Sequence, residues 1–218
     1  MIRMLQAAET VYVVDRDTSV RLLVRALVHS IHTACREFPS ACDFIQHYQP
    51  SLPGCLVLDM EMHDMGGLAL QHELALRGAI IPIIFVAERC DVAHVAKAMR
   101  SGAFNFLQKP MPKAELLDNI ERALQLDRRR RLALAQSNTI RQKLLSLTSR
   151  EREVLDQVSR GESNKVIAAN LRVSERSVEF HRARGMEKMG ASSVAQLVRM
   201  LMNLENDSTD RGVGPRRS

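Results

Sequence analysis

The chain has 218 residues, 45% hydrophobic and 26% charged, which is apolar enough to build a core and long enough for one large domain or two ordinary ones. No apolar run approaches the roughly 18 to 20 residues that span a bilayer, and residues 1–9 lack the apolar segment of a secretory leader, so a soluble, cytoplasmic protein without a membrane partner is expected. Charge divides unevenly: residues 1–127 carry 12 basic and 15 acidic side chains, residues 128–218 carry 19 and 10, the pattern of a nucleic-acid module joined to something else. Cys35, Cys42, Cys55 and Cys90 stand without CxxC pairing or nearby histidines, which argues against a zinc site or a disulfide framework.

In chain order, residues 11–14 (VYVV), 55–58 (CLVL), 80–86 (IIPIIFV) and 104–107 (FNFL) are short runs rich in β-branched or aromatic residues. They read as buried parallel strands, with a weaker strand at 32–37. Helical periods fall between them, at 19–30, 40–47, 68–76 and 91–101. Five βα units in succession predict an open, doubly wound, five-stranded parallel sheet of the flavodoxin-like α/β class, with its ligand site at the carboxyl ends of the strands. A long helical run from 113 to about 143 contains Arg128 to Arg131 and reads as a last helix passing into a solvated, charged linker. Beyond it the pattern is purely helical. Thr148 with Glu151 forms a capping box, Gly161 ends one helix, Ser163 and Ser174 open the next two, Gly190 closes the third, and a fourth runs from 192 to 204. The segment 205–218, with two glycines and a proline, is expected to be disordered.

The residues that follow the strands are Asp15, Arg16 and Asp17; Asp59, Met60 and Glu61; Ala87 and Glu88; and Lys109 and Pro110. Acids and a lysine thus converge on one edge, the arrangement in which an aspartate can accept a phosphoryl group while a cation offsets the charge. The runs VVDRD, LVLDMEMHDMGGLAL and IIFVAERCDVAHVAKAMRSGAFNFLQKP resemble a receiver domain of two-component response regulators, of the FixJ branch, over about residues 9–125. The resemblance implies that Asp59 is the phosphoacceptor, Asp15 with Asp59 the Mg²⁺ ligands, Lys109 the family's lysine, Phe106 the aromatic switch position, and the Lys109–Pro110 bond cis. It also implies a sensor histidine kinase as partner. Two departures weaken the switch. Arg16 stands where the family has a second metal-binding acid, and Ala87 stands where it has the hydroxyl that follows the phosphate. Arg16 is expected to pair with Asp59 or Asp15 and so substitute for Mg²⁺, while Glu61 and Asp17 are placed to replace part of the missing acid. No cofactor is then required. Cys90, in the loop after the fourth strand, reads as inert for want of an activating partner.

The sequence LTSREREVLDQVSRGESNKVIAANLRVSERSVEFHRARGMEKMGASSVAQLVRM, residues 147–200, closely resembles a LuxR-type (NarL/FixJ) helix-turn-helix domain. Such a domain places its third helix in the major groove of double-stranded DNA. Apolar stripes pack the helices, leaving Arg176, Ser177, Glu179, Phe180, Arg182, Ala183 and Arg184 on the third. Arginine suits phosphate or guanine, Glu179 suits cytosine N4, and Phe180 suits a thymine methyl. The family's positions put Glu179, Phe180 and Ala183 against base edges, with Lys165 and Ser177 at phosphates and Asn164 at a helix N-terminus. Arg172 and Gly185 depart from the family's usual residues. The parts are thus a receiver (1–125), a helical linker (126–146), a DNA-binding domain (147–204) and a tail. Together they predict a DNA-binding transcriptional regulator, dimeric on DNA and not an enzyme, whose receiver works independently of phosphorylation. A conventional phosphorylation-activated regulator and a receiver-based interaction adaptor are the alternatives.

Overall fold

The computed structural model describes residues 9–89 and 91–211, with side chains up to residue 204. The chain forms two units, divided between Arg131 and Leu132. In the first, β1 (Thr10–Val14), β2 (Ala34–Phe38), β3 (Gly54–Asp59), β4 (Ile83–Ala87) and β5 (Asn105–Gln108) alternate with α1 (Thr18–Ser30), α2 (Ala41–His47), α3 (Gly67–Leu76) and α4 (Val92–Arg100). The strands pair in parallel in the order β2-β1-β3-β4-β5. Because β1 and β3 lie inside the sheet and are covered on both faces, their residues apart from Thr10 and Asp59 are apolar without alternation, and all are buried. Side chains of alternate strand residues supply two cores. Tyr12, Leu56, Leu58 and Phe85 face α2 and α3 on one side, and Val11, Val13, Val57 and Val86 face α1 and α5 (Lys113–Leu145) on the other.

The apolar run predicted to be a strand from residue 80 begins pairing only at Ile83. Pro82 has no N–H to give to the ladder, and it contributes only its carbonyl, which accepts from Leu56 N–H at 2.9 Å. The arginine run expected to be solvated is exposed at Arg128 to Arg130, yet it also anchors the helix to the first unit. Asp127 on α5 is buried and accepts from the backbone N–H of Gly54 at 2.9 Å and from Arg131 Nε at 2.7 Å. The same guanidinium donates to the carbonyls of Pro50, Ser51 and Leu52, at 3.1, 3.0 and 2.6 Å. Arg128 pairs with Glu9, and Arg130 donates to the carbonyl of Ile80. These arginines pin α5 to the loops at the amino edge of the sheet, and the helix continues unbroken to Leu145.

In the second unit, α6 (Ser149–Ser159), α7 (Asn164–Leu171), α8 (Glu175–Met189) and α9 (Val194–Arg211) pack with the end of α5 around Val154, Leu155, Ile167, Val178, Met189 and Leu197. The caps are those expected. The Thr148 hydroxyl and Glu151 carboxylate each accept from the other's backbone N–H, Ser163 and Ser174 cap α7 and α8, and Gly190 ends α8 at φ 65°. Arg172 ends α7 in the left-handed region at φ 53°, where a side chain costs about 1 kcal/mol relative to glycine. Gly185 has a structural reason: a Cβ there would lie 2.9 Å from Leu155 Cγ, so α8 crosses α6 too closely for a side chain. Helix α9 runs to Arg211, seven residues into the segment expected to be disordered. No glycine or proline interrupts it before Gly212. Residues 212–218 and Cys90 lie outside the described residues.

Because Arg131 neutralises a buried carboxylate and satisfies three carbonyls, Arg131→Ala is expected to destabilise the first unit by about 3 kcal/mol. Arg129→Ala, at an exposed position of the same run, should change it by less than about 0.5 kcal/mol; equal effects in denaturant melts would contradict the clamp.

Candidate functional site

The carboxyl edge of the sheet brings Asp15, Asp59 and Lys109 together. Asp15 follows β1 with no solvent exposure, Asp59 ends β3 at 2%, and Lys109 follows β5. Its ammonium lies 2.7 Å from Asp15 Oδ2 and 3.5 Å from Asp59 Oδ1. The Lys109–Pro110 bond is cis. Asp15 Oδ1 also accepts from the Asp17 backbone N–H at 2.9 Å, and Asp59 Oδ1 from the Glu61 N–H at 3.4 Å. Burial raises the Asp15 pKa above the ordinary carboxylate value, against the pull of the Lys109 hydrogen bond. Gly67 opens α3 so close to β3 that a Cβ would meet the Asp59 carbonyl at 2.8 Å.

Arg16 does not pair with either acid. Its Nη1 donates instead to Nε2 of His63 at 2.7 Å, joining the loop after β1 to the loop after β3. The reason lies in Arg21, which sequence reasoning missed. From the first turn of α1 its guanidinium donates to the carbonyls of Asp15 (2.7 Å) and Arg16 (3.1 Å) and to the Thr18 hydroxyl (2.8 Å), fixing the loop so that Arg16 projects outward. An arginine among the apolar residues of that helix was the available signal. Asp17 is also not at the site, because its carboxylate caps α1 through Ser19 N–H at 2.8 Å. Glu61 is exposed, and the described residues hold no group of three or more His, Cys, Asp or Glu able to hold a metal ion. Two carboxylates share one ammonium, and a guanidinium holds the place of a third acid. Ala87 is buried, its methyl offering no hydrogen bond, and Phe106 is half-buried. Phe106 lines a cleft of about 430 Å³ with Met60, Gly66, Leu68 and Val95.

In the second unit, Arg176, Glu179, Phe180, Ala183 and Arg184 are exposed on α8, Ser177 is half-buried, and Val178, Gly185 and Met189 face the core. Arg182 stands two residues past Phe180, roughly 200° around the helix axis. It turns toward α7, and its Nη1 donates to Asn164 Oδ1 at 2.9 Å. Lys165 is exposed beside that pair. Lys188 Nζ bonds Glu151 Oε2 at 2.7 Å, holding α8 against the α6 capping box. A helix-turn-helix whose third helix exposes Arg176, Glu179, Phe180 and Arg184 thus follows the receiver-like unit in the chain.

Residues 11–121 match the response regulator receiver domain, and residues 145–201 match the bacterial regulatory proteins of the luxR family. The chain is a response regulator. It is 40% identical over 212 residues to the transcriptional regulatory protein TdiR of Thauera aromatica, covering 95% of this chain and 92% of that one. It is 37% identical to the response regulator protein TodT of Pseudomonas putida, with 91% and 88% covered. Among solved structures, response regulator StyR matches with a TM-score of 0.82 at 41% identity, over 90% of this chain and 99% of that one. The full-length FixJ from B. japonicum matches at 0.55 and 32%, over 90% and 97%. The regulator's fold, its receiver and its LuxR-type DNA-binding domain accordingly stand as the sequence resemblance implied.

Since the folded-state pKa of Asp15 is raised, its favourable contribution is complete below the ordinary carboxylate value and is lost as pH rises through its own titration. Asp15→Asn should therefore gain stability relative to wild type as pH rises through the carboxylate range. A relative stability from denaturant midpoints that moves the other way would show the Lys109 pairing to outweigh burial.

Proposed function

We propose that this response regulator binds double-stranded DNA as a homodimer and that its receiver works without phosphorylation at Asp59 and without Mg²⁺. The observation that carries the second part is Arg16, a fixed cation at the mouth of the site, bonded to His63 and leaving Lys109 as the partner of both acids. A dication at Asp15 and Asp59 would meet two positive side chains, and at Ala87 no hydroxyl waits to follow a phosphoryl group. The receiver's dimer state then depends on its own surface. On α4, Val92 is 77% exposed and Met99 42%. Their burial against a second copy is the proposed dimer contact, with α9 pairing the DNA-binding domains.

A second reading keeps Asp59 as a phosphoacceptor served by a sensor histidine kinase. It is favoured by the buried Asp59 beside Lys109 and by the cis Lys109–Pro110 bond. DNA affinity separates the two. Without phosphodonor, wild type and Asp59→Asn should bind operator DNA within about twofold of one another. Adding a small phosphodonor with Mg²⁺ should change neither. A gain of about tenfold in wild type, lost in Asp59→Asn, would establish the second reading instead.

A further inference from the structure

The outward face of α8 carries one large apolar side chain, and its environment is unusual for a surface residue. Phe180 is 58% exposed. Its ring contacts are with neighbours on its own helix: the His181 ring lies edge-on at 5.4 Å, and the guanidinium carbon of Arg184, one turn on, stands over the ring 5.7 Å from its centroid. Nothing in the packing of the second unit uses this ring, since the core side of α8 is filled by Val178, Gly185 and Met189. The other arginine of this stretch, Arg182, is spent on Asn164. Arg176 and Arg184 therefore remain the exposed arginines of α8, and of these Arg184 is the one held by an aromatic face.

Resting on the reading that α8 enters the major groove, we infer that Phe180 and Arg184 form one composite base reader, selecting a thymine and a guanine no more than two base pairs apart in each half-site. An arginine lying over an aromatic ring keeps its planar fork of donors free at the edge, the geometry that bonds O6 and N7 of guanine together. The ring restricts the side chain before DNA arrives, so less rotamer freedom is lost on binding. Phe180, with no polar atom, is matched to the one apolar feature of the major-groove edge, the thymine methyl. Four residues of helix advance about 6 Å along the axis, roughly two base-pair steps, which sets the spacing of the two bases. Arg182 has a different role in this arrangement. It is a positioning residue that ties the start of α7 to α8, so that Lys165 and α8 meet the same duplex.

The test is selection of bound sequences from randomised duplex DNA by the full chain at low salt, for wild type, Arg184→Lys and Phe180→Ala. Wild type should select a motif containing that thymine and guanine. Arg184→Lys keeps the charge but loses the fork, so preference for the guanine should fall about tenfold while the salt dependence of binding is unchanged. Replacing the thymine by deoxyuridine, which removes only the methyl, should weaken wild type and leave Phe180→Ala indifferent. Phe180→Ala should also lose part of the guanine preference, because Arg184 loses its support. A wild-type motif without the pair, or an Arg184→Lys variant weakened equally on every sequence, would overturn the inference while leaving DNA binding intact. A wild type that retains no duplex at low salt would overturn the DNA-binding reading itself.

Discussion

Two carboxylates buried side by side at the end of a parallel sheet repel one another and lose their hydration, and within salt-bridge distance of both, among the described residues, stands a single ammonium, that of Lys109. The rest of the receiver edge is arranged around this imbalance. Backbone N–H groups of Asp17 and Glu61 each give one hydrogen bond to the pair, and burial still leaves Asp15 with a raised pKa. A dication would be the ordinary remedy. Arg21 instead shapes the loop after β1 so that the Arg16 guanidinium faces outward to His63. Among the described residues, both acids are paired by Lys109 and the Arg16 guanidinium is bonded to His63 instead.

Arginine recurs as a structural rather than a ligand-binding group in this chain. Arg131 closes the amino edge of the sheet by satisfying Asp127 and three loop carbonyls, Arg21 holds the β1–α1 loop, and Arg182 fastens α7 to α8. In each case a planar fork reaches several acceptors that a single ammonium would not span. The basic balance of residues 128–218 therefore overstates the charge available to DNA. What remains exposed on the reading helix is narrower and more selective: Arg176, Glu179, Phe180, Ala183 and Arg184.

Much of this architecture was legible in the residues. Strand runs, capping serines and the Thr148–Glu151 box specify their elements locally, so β1, β3, α6, α7 and α8 lie where the sequence placed them. What was not legible depends on contacts distant in sequence. Periodicity shows that Arg131 lies on a helix but not that the loop carbonyls of Pro50, Ser51 and Leu52 converge beneath it. Arg16 was expected to turn inward toward opposite charge. Its direction is set by Arg21, which stands out in the sequence among the apolar residues of α1, but whose two carbonyl acceptors are fixed only by the fold. Gly185, which read as a helix weakness, is explained by Leu155, thirty residues earlier. Helix α9 extends further than composition suggested, because weak helix formers continue a helix already nucleated by its buried first turns.

If Arg16 has displaced the divalent cation, as proposed, the amide N–H groups of Asp17 and Glu61, which donate to the two carboxylates, are the natural reporters. A Mg²⁺ titration of isotope-labelled protein followed by NMR at those amides tests it most directly, with Arg16→Asp alongside. Wild type should show no saturable shift, and Arg16→Asp a saturable one. Saturable shifts of the same size in wild type would show that the site still takes the metal and that Arg16 has not replaced it.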